Sequence, residues 1–248
     1  MRTLYADGLS ALARVREHAL PQTCFFCGDS APETVCELCA DSLLRLQPEV
    51  CPRCQLPAAN GDVCGRCLKK PPVWQHLIAE WQYEFPLKAA VVSAKYHHAF
   101  PIFRWVAAQR KGWPFETSAT LIPVPLAALR LQTRGYNQAQ LIANEMAKHF
   151  GLRVDAEAVI RIRETDIQQR LNWIERRRNV KSAFAATRSF AGESVVLVDD
   201  VLTTGSTLNE LARAVYDAGA VRVDAYVLAR VQPIHRRDRV VKFGQAVA

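Results

Sequence analysis

The chain has 248 residues, half of them hydrophobic, and its 32 Lys and Arg against 24 Asp and Glu give a formal net charge of +8. That length holds one large or two modest domains with a real core, and no apolar run approaches the roughly 18 residues needed to cross a bilayer, so membrane insertion is not expected. Asp7, Arg14, Arg16 and Glu17 interrupt the N-terminal apolar residues, which does not suit a signal peptide and points to the cytoplasm, while the basic balance suits phosphate-rich ligands or nucleic acid without choosing between them.

In chain order, Leu4, Leu9, Leu12, Val15 and Leu20 recur in a rough helical pattern that ends before Pro21. Four CxxC pairs follow: Cys24 with Cys27, Cys36 with Cys39, Cys51 with Cys54, and Cys64 with Cys67, and no cysteine is left over. In a reducing compartment a CxxC turn aims two thiolates at one soft cation, and two such turns complete a tetrahedral zinc site, so the eight cysteines predict two structural Zn2+ per chain. The gaps of 8, 11 and 9 residues between pairs favour consecutive pairing, although a cross-braced arrangement of first with third pair is also possible. Pro71-Pro72 marks the end of this region, because paired prolines exclude helix and donate nothing to a sheet. The expected domains are 1–73, an N-terminal helix plus a double zinc ribbon, and 74–248.

Beyond the prolines the pattern alternates. Leu77 to Tyr83 reads as a strand, Leu87 to Arg110 as helix broken near Pro101, and Thr120 to Val124 as a short strand. Asn137 caps a helix whose Leu141, Ile142, Met146 and Phe150 share a face and which Gly151 closes. Ser194 to Val198 is a buried strand, Leu208, Leu211, Ala212 and Val215 form the apolar stripe of a helix that Gly219 stops, and Val221 to Leu228 is a further strand. Strands alternating with helices predict an α/β fold with a mostly parallel sheet and ligands bound beyond the strands' C-terminal ends.

One such end carries the sharpest signal, Val195 to Thr207. An apolar run enters Asp199-Asp200 and then the turn Thr203-Thr204-Gly205-Ser206-Thr207, which opens a helix. The first N–H groups of a helix lack intrahelical partners and the macrodipole is positive there, so the turn suits a phosphate dianion, and Gly205 lets the backbone come close. Two adjacent carboxylates accept hydrogen bonds only, which suits the two O–H donors of a ribose diol. After the strand ending at Val124, the region with Arg130, Arg134, Gly135, Tyr136, Asn137 and Gln138 is placed to form a second anion-binding loop, with Arg134 as its guanidinium fork; Arg134 as a solvated turn residue is the competing reading. The basic stretch Arg161 to Lys181, which includes Arg176, reads either as a loop closing over a polyanion or as a solvated charged helix with Trp173 and Ile174 docked. His97-His98 has no visible carboxylate partner and is assigned no chemistry, and Arg236, Arg237, Arg239 and Lys242 read as a solvated tail.

The block VVLVDDVLTTGST resembles the fingerprint of the type I phosphoribosyltransferases. With the paired CxxC motifs, the run Arg134-Gly135-Tyr136-Asn137-Gln138 and the segment Gln168 to Phe184, the whole layout resembles the ComF family of competence-associated phosphoribosyltransferase-like proteins, including its GntX-type members of enteric bacteria. The resemblance implies a zinc module on a type I phosphoribosyltransferase fold and a link to DNA uptake or utilisation. It implies that Asp199 and Asp200 hold the ribose of 5-phosphoribosyl 1-pyrophosphate (PRPP), that Thr203, Thr204, Gly205, Ser206 and Thr207 hold its 5-phosphate, and that Arg134 and Arg176 steady the pyrophosphate with Mg2+. The reaction so implied displaces pyrophosphate from C1 toward an acceptor the residues do not identify. No general base is evident, which leaves open a non-catalytic accessory protein that binds PRPP, single-stranded DNA or the competence machinery.

Overall fold

Short loops pinned by cysteines replace regular structure at the start of the computed structural model, which describes residues 22–97, 100–162 and 183–232. The expected N-terminal helix, Arg176 with most of the basic stretch, and the C-terminal basic tail lie outside those residues. A small hairpin pairs β1 (Gln22–Thr23) with β2 (Ser30–Ala31). Cys36 and Cys64 occupy the N-cap positions of α1 (Glu37–Asp41) and α2 (Gly65–Lys69), so each puts the second cysteine of its pair into the helix's first turn.

After Pro71-Pro72 the chain enters β3 (Leu77–Gln82), then α3 (Leu87–His97) and α4 (Phe100–Ala108). Next come β4 (Thr120–Pro123), α5 (Ala128–Arg134), α6 (Gln138–Phe150) and β5 (Arg153–Val154). An antiparallel pair, β6 (Val159–Arg161) with β7 (Phe184–Ala186), precedes β8 (Ser194–Leu202), α7 (Ser206–Asp217) and β9 (Arg222–Arg230). Strands β3, β9, β8, β4 and β5 stand side by side in that order, every pairing parallel.

Why β8 takes the centre follows from its residues. A strand buried on both faces reads as an unbroken apolar run, and Val195, Val196, Leu197 and Val198 are all at most 1% exposed. Leu77, Ala225, Leu197 and Ile122 line up across the sheet and face α7 and Phe190, whereas Tyr226 and Val198 face the layer built from α3, α4 and α6. Each fully buried aliphatic of this kind contributes about 1.5–3 kcal/mol of apolar transfer. The connection from β4 leads outward to β5, and that from β8 leads the other way to β9, so the chain reverses direction of travel between β4 and β8. A crevice opens beyond the C-terminal ends of adjacent strands at such a point.

Two expectations need correction. Residues 128–134 are helical, because Ala128, Leu129, Arg130, Leu131 and Gln132 are good helix formers and Gly135, at φ 75°, closes the helix in the left-handed region. And β8 does not end at Val198 but runs through Asp199 and Asp200 to Leu202, because β9 stays paired with it as far as Arg230. The break in 87–110 falls where expected, with Pro101 in the first turn of α4.

Candidate functional site

Because successive strand residues point to opposite faces, the two carboxylates of β8 look in different directions. Asp200 shares the face of Val196 and Val198, and there it meets α3 and α6. Lys95 Nζ lies 2.6 Å from Asp200 Oδ2, and Gln138 Nε2 donates to the same oxygen at 3.4 Å. Gln138 in turn accepts from Arg134 NH1 at 2.5 Å. The other Asp200 oxygen accepts from Val201 N at 2.8 Å, and Asp199 Oδ1 accepts from Asp200 N at 2.9 Å. Asp200 is 5% exposed, while Asp199 keeps part of its surface open.

Burial and charge split the pair. Burial pushes the Asp199 carboxyl well above the usual carboxylate range, and the neighbouring Asp200 charge pushes it further. Burial acts on Asp200 in the same sense, but the Lys95 ammonium outweighs it and holds Asp200 below its ordinary value. Lys95, despite its own burial, is raised by Asp200. The site therefore carries one protonatable carboxyl and one locked carboxylate side by side. Tyr83, Tyr136 and Arg161 stand within electrostatic reach of this pair. Burial raises both tyrosines, and burial with nearby Arg130 lowers Arg161 against the pull of Asp199.

Past Leu202 the chain makes the Thr203–Thr207 turn. Gly205 is the N-cap of α7 at φ 78°, a left-handed conformation that glycine takes without a Cβ penalty. Thr204 Oγ1 and Ser206 Oγ are 2.9 Å apart, Thr204 Oγ1 accepts from Ser206 N at 3.3 Å, and Asn209 N is bonded to Gly205 O. Facing this turn across the β4–β8 crevice is the start of α6. Asn137 caps that helix by accepting from Ala139 N at 3.0 Å and anchors it by donating to Val124 O at 3.0 Å.

Of the residues expected from sequence, the structure joins Asp200 to Arg134 through Gln138, keeps Asp199 beside Asp200, and sets Thr203, Thr204, Gly205, Ser206 and Thr207 just beyond the end of β8. Lys95 was not anticipated. Its signal was present: with Val91 four residues before it, Lys95 extends the buried stripe Leu87, Ala90, Val91 and Ala94, and a lysine on a buried stripe calls for a partner.

The cysteines form two groups, Cys24, Cys27, Cys36 and Cys39 in one and Cys51, Cys54, Cys64 and Cys67 in the other, with each group's sulfurs within 4.8 Å of one another. Pairing is thus consecutive, as the gaps favoured. The groups repeat one design. Cys36 N donates to Cys24 Sγ at 3.3 Å and Cys64 N to Cys51 Sγ at 3.4 Å. Gly28 and Gln55, each one residue past a CxxC turn, both take positive φ. Against the upward push of burial, the backbone N–H donors led by Cys36 bring the Cys24 thiol down to about 6, and those led by Cys64 bring Cys51 down to about 7. Four converging sulfurs with amide support fit a tetrahedral zinc ion.

Two known domain families match the chain. Residues 15–68 match the double zinc ribbon domain and residues 133–244 the phosphoribosyl transferase domain. The DNA utilization protein YhgH of Salmonella typhimurium is 35% identical over 205 residues, which span 79% of this chain and 90% of that protein. The chain belongs to the ComF competence and DNA-utilization family. Other ComF-family relatives include competence protein F of Haemophilus influenzae, 33% identical over 67% of this chain and 78% of its own. Competence protein ComFC of Bacillus subtilis is 26% identical over 80% and 85%. Among the described residues no helix is long and apolar enough to cross a membrane.

Proposed function

We propose that this ComF-family chain binds PRPP with Mg2+ in the β4–β8 crevice and displaces pyrophosphate from C1 of the sugar. The observation that carries the reading is the continuity of β8 into the hydroxyl-rich turn, which puts Asp199 and Asp200 one turn away from the N-terminal amides of α7. The 5-phosphate sits on Thr203 to Thr207, where the first amides of α7 and the helix dipole favour a dianion. Asp199, the more open of the two, accepts from the ribose hydroxyls beside the Asp200 carboxylate that Lys95 holds, and Mg2+, when bound with the substrate, would supply positive charge against the pyrophosphate. Arg134 holds the leaving pyrophosphate, Gln138 links it to the acidic pair, and Arg176 adds a cation from outside the described residues. As positive charge grows at C1, the fixed Asp200 carboxylate stabilises it. The boundary between the zinc ribbon and this domain falls at Pro71-Pro72, so that 74–248 is the phosphoribosyltransferase-type unit, and the protein works in the cytoplasm.

A second reading is favoured by the names of the relatives, DNA utilization protein and competence protein. It makes the chain an accessory protein that binds PRPP or single-stranded DNA beside the competence machinery without transfer.

Calorimetry with PRPP and Mg2+ tests the first reading. Burial raises the Asp199 carboxyl in the free protein, so at a pH low enough to leave it protonated, its becoming an acceptor for the diol releases a proton on binding. The expected result is a binding enthalpy that varies with the buffer's ionisation enthalpy, lost in Asp199→Asn, together with pyrophosphate release over a panel of nucleobase and amine acceptors. PRPP affinity unchanged in a folded Asp199→Asn/Asp200→Asn variant removes the ribose assignment. PRPP binding with no acceptor releasing pyrophosphate, beside single-stranded DNA affinity that falls steeply with salt, favours the accessory protein.

A further inference from the structure

The second cysteine group touches the phosphate turn through two buried side chains. Arg230, at the end of β9 and 5% exposed, donates from Nε to Cys54 O at 2.8 Å. Its NH1 donates to Leu202 O at 3.0 Å, Thr203 O at 2.8 Å and Val231 O at 2.7 Å. Trp74, 2% exposed, donates from Nε1 to Arg53 O at 2.8 Å. Its ring lies flush against the turn: a Cβ built on Gly205 would come 2.7 Å from its Cη2. Arg53 O and Cys54 O are consecutive carbonyls of the Cys51–Cys54 turn. The same guanidinium and indole that read the position of that turn thus hold the last residue of β8, the first residue of the phosphate turn and the glycine at its centre.

A flexible peptide cannot hold such acceptors still. Four thiolates closed on one metal ion fix the CxxC turn and with it both carbonyls. The first cysteine group lies elsewhere, packed with Val35, Leu43, Trp81 and Leu87 on the other side of the sheet. Among the described residues, the side-chain hydrogen bonds that join the cysteine-rich region to the phosphate turn come from the second group.

We infer that Arg230 and Trp74 are positioning residues that couple the metal at Cys51, Cys54, Cys64 and Cys67 to the shape of the 203–207 turn, so that this metal, and not the one at the first group, sets the affinity for a sugar 5-phosphate. The consequence for PRPP rests on the function proposed above. The coupling itself does not.

Hydrogen exchange of the full chain, read at the amides of 203–208, is therefore paired with PRPP and Mg2+ calorimetry and zinc analysis. Cys64→Ser retains one zinc, and its turn amides exchange about tenfold faster, the size expected from loosening one charge-assisted hydrogen bond. Its PRPP affinity falls in step. Cys39→Ser also retains one zinc, but its turn exchanges at the parent rate. Arg230→Lys retains two zincs and an intact β8, as judged by exchange at 195–198, yet its turn opens as in Cys64→Ser. Parent-like turn exchange in Arg230→Lys, or equal acceleration in Cys39→Ser and Cys64→Ser, overturns the coupling. If the parent binds no PRPP while exchange follows the expected pattern, the PRPP reading fails and the coupling stands.

Discussion

Lys95 and Asp200 form the contact on which the acidic pair depends. A carboxylate with only 7% of its side chain exposed, 2.6 Å from an ammonium 23% exposed, is stable as a pair and costly as a single ion. Lys95→Met is expected to lose about 2–3 kcal/mol at neutral pH, below the figure for a fully buried pair because water still reaches the lysine. The sign with pH follows from the shifts. Asp200 is held below its ordinary 3.8 and Lys95 above its ordinary 10.5, so the pair's contribution is full between those values. It fades as acid protonates Asp200 below 3.8 and as base removes the Lys95 proton above 10.5. Asp199 runs the other way, its raised carboxyl costing stability as pH climbs above 3.8. Urea unfolding at several pH values should show the Lys95→Met deficit shrinking toward acid, and Lys95→Met/Asp200→Asn should recover most of it. A double variant no more stable than Lys95→Met at pH 7 would mean that the lysine acts through packing alone.

At the level of elements, the phosphate turn is set by a close approach as well as by a backbone angle. Gly205 and Gly135 share nearly the same φ, 78° and 75°, but a Cβ at Gly135 meets nothing within 4 Å whereas one at Gly205 runs into Trp74. Gly135→Ala should therefore cost about 1 kcal/mol from backbone strain alone. Gly205→Ala should cost at least twice that and weaken PRPP binding, since the buried indole cannot swing aside without releasing Arg53 O. Denaturant midpoints of the two variants decide it, equal losses showing that the ring yields freely. The turn itself was legible because an apolar run, an acidic pair and a hydroxyl-rich glycine turn are local patterns. The helix at 128–134 has the propensity to form locally, but the Arg134-Gly135-Tyr136-Asn137 run that ends it reads equally as a loop. The course of β8 through Asp199 and Asp200 was not legible, because its end is fixed by β9, whose partner residues lie more than twenty positions away. Trp74 and Arg230 escaped for the same reason: each acquires its role only when a distant element brings a carbonyl to it, whereas Lys95 is marked locally as a charge on a buried stripe but its partner is not.

For the whole molecule, the zinc ribbon completes the sheet. Strand β3 is an edge, and an open edge is a template for pairing with another chain. Here the ribbon covers it. Leu44 O accepts from Gln82 N at 2.7 Å, Pro52 O accepts from Leu77 N at 2.8 Å, and Arg45 bridges to Trp81 in antiparallel fashion. The Arg45 guanidinium also lies 4.0 Å from the Trp81 ring centroid. Val35 and Leu43 pack with Trp81 and Leu87 on one face of the sheet, and Leu46 packs with the layer on the other, so the ribbon straddles the edge. This integration follows from the pattern of the chain only in part: the cysteine spacing announces the metal groups, but nothing local in residues 44–52 announces a β3 partner. A chain begun at Pro71 would keep all five parallel strands while baring the β3 amides and the apolar surface of Trp81 and Leu87. Light scattering after size exclusion should then show it forming larger, concentration-dependent species than the full chain, with a lower unfolding midpoint. Restoring solubility by Ala79→Lys would not be expected, since Ala79 points into the buried face. A truncated chain with the parent's mass per particle and the parent's midpoint would show instead that the ribbon is a tethered module, and the edge would need another cover.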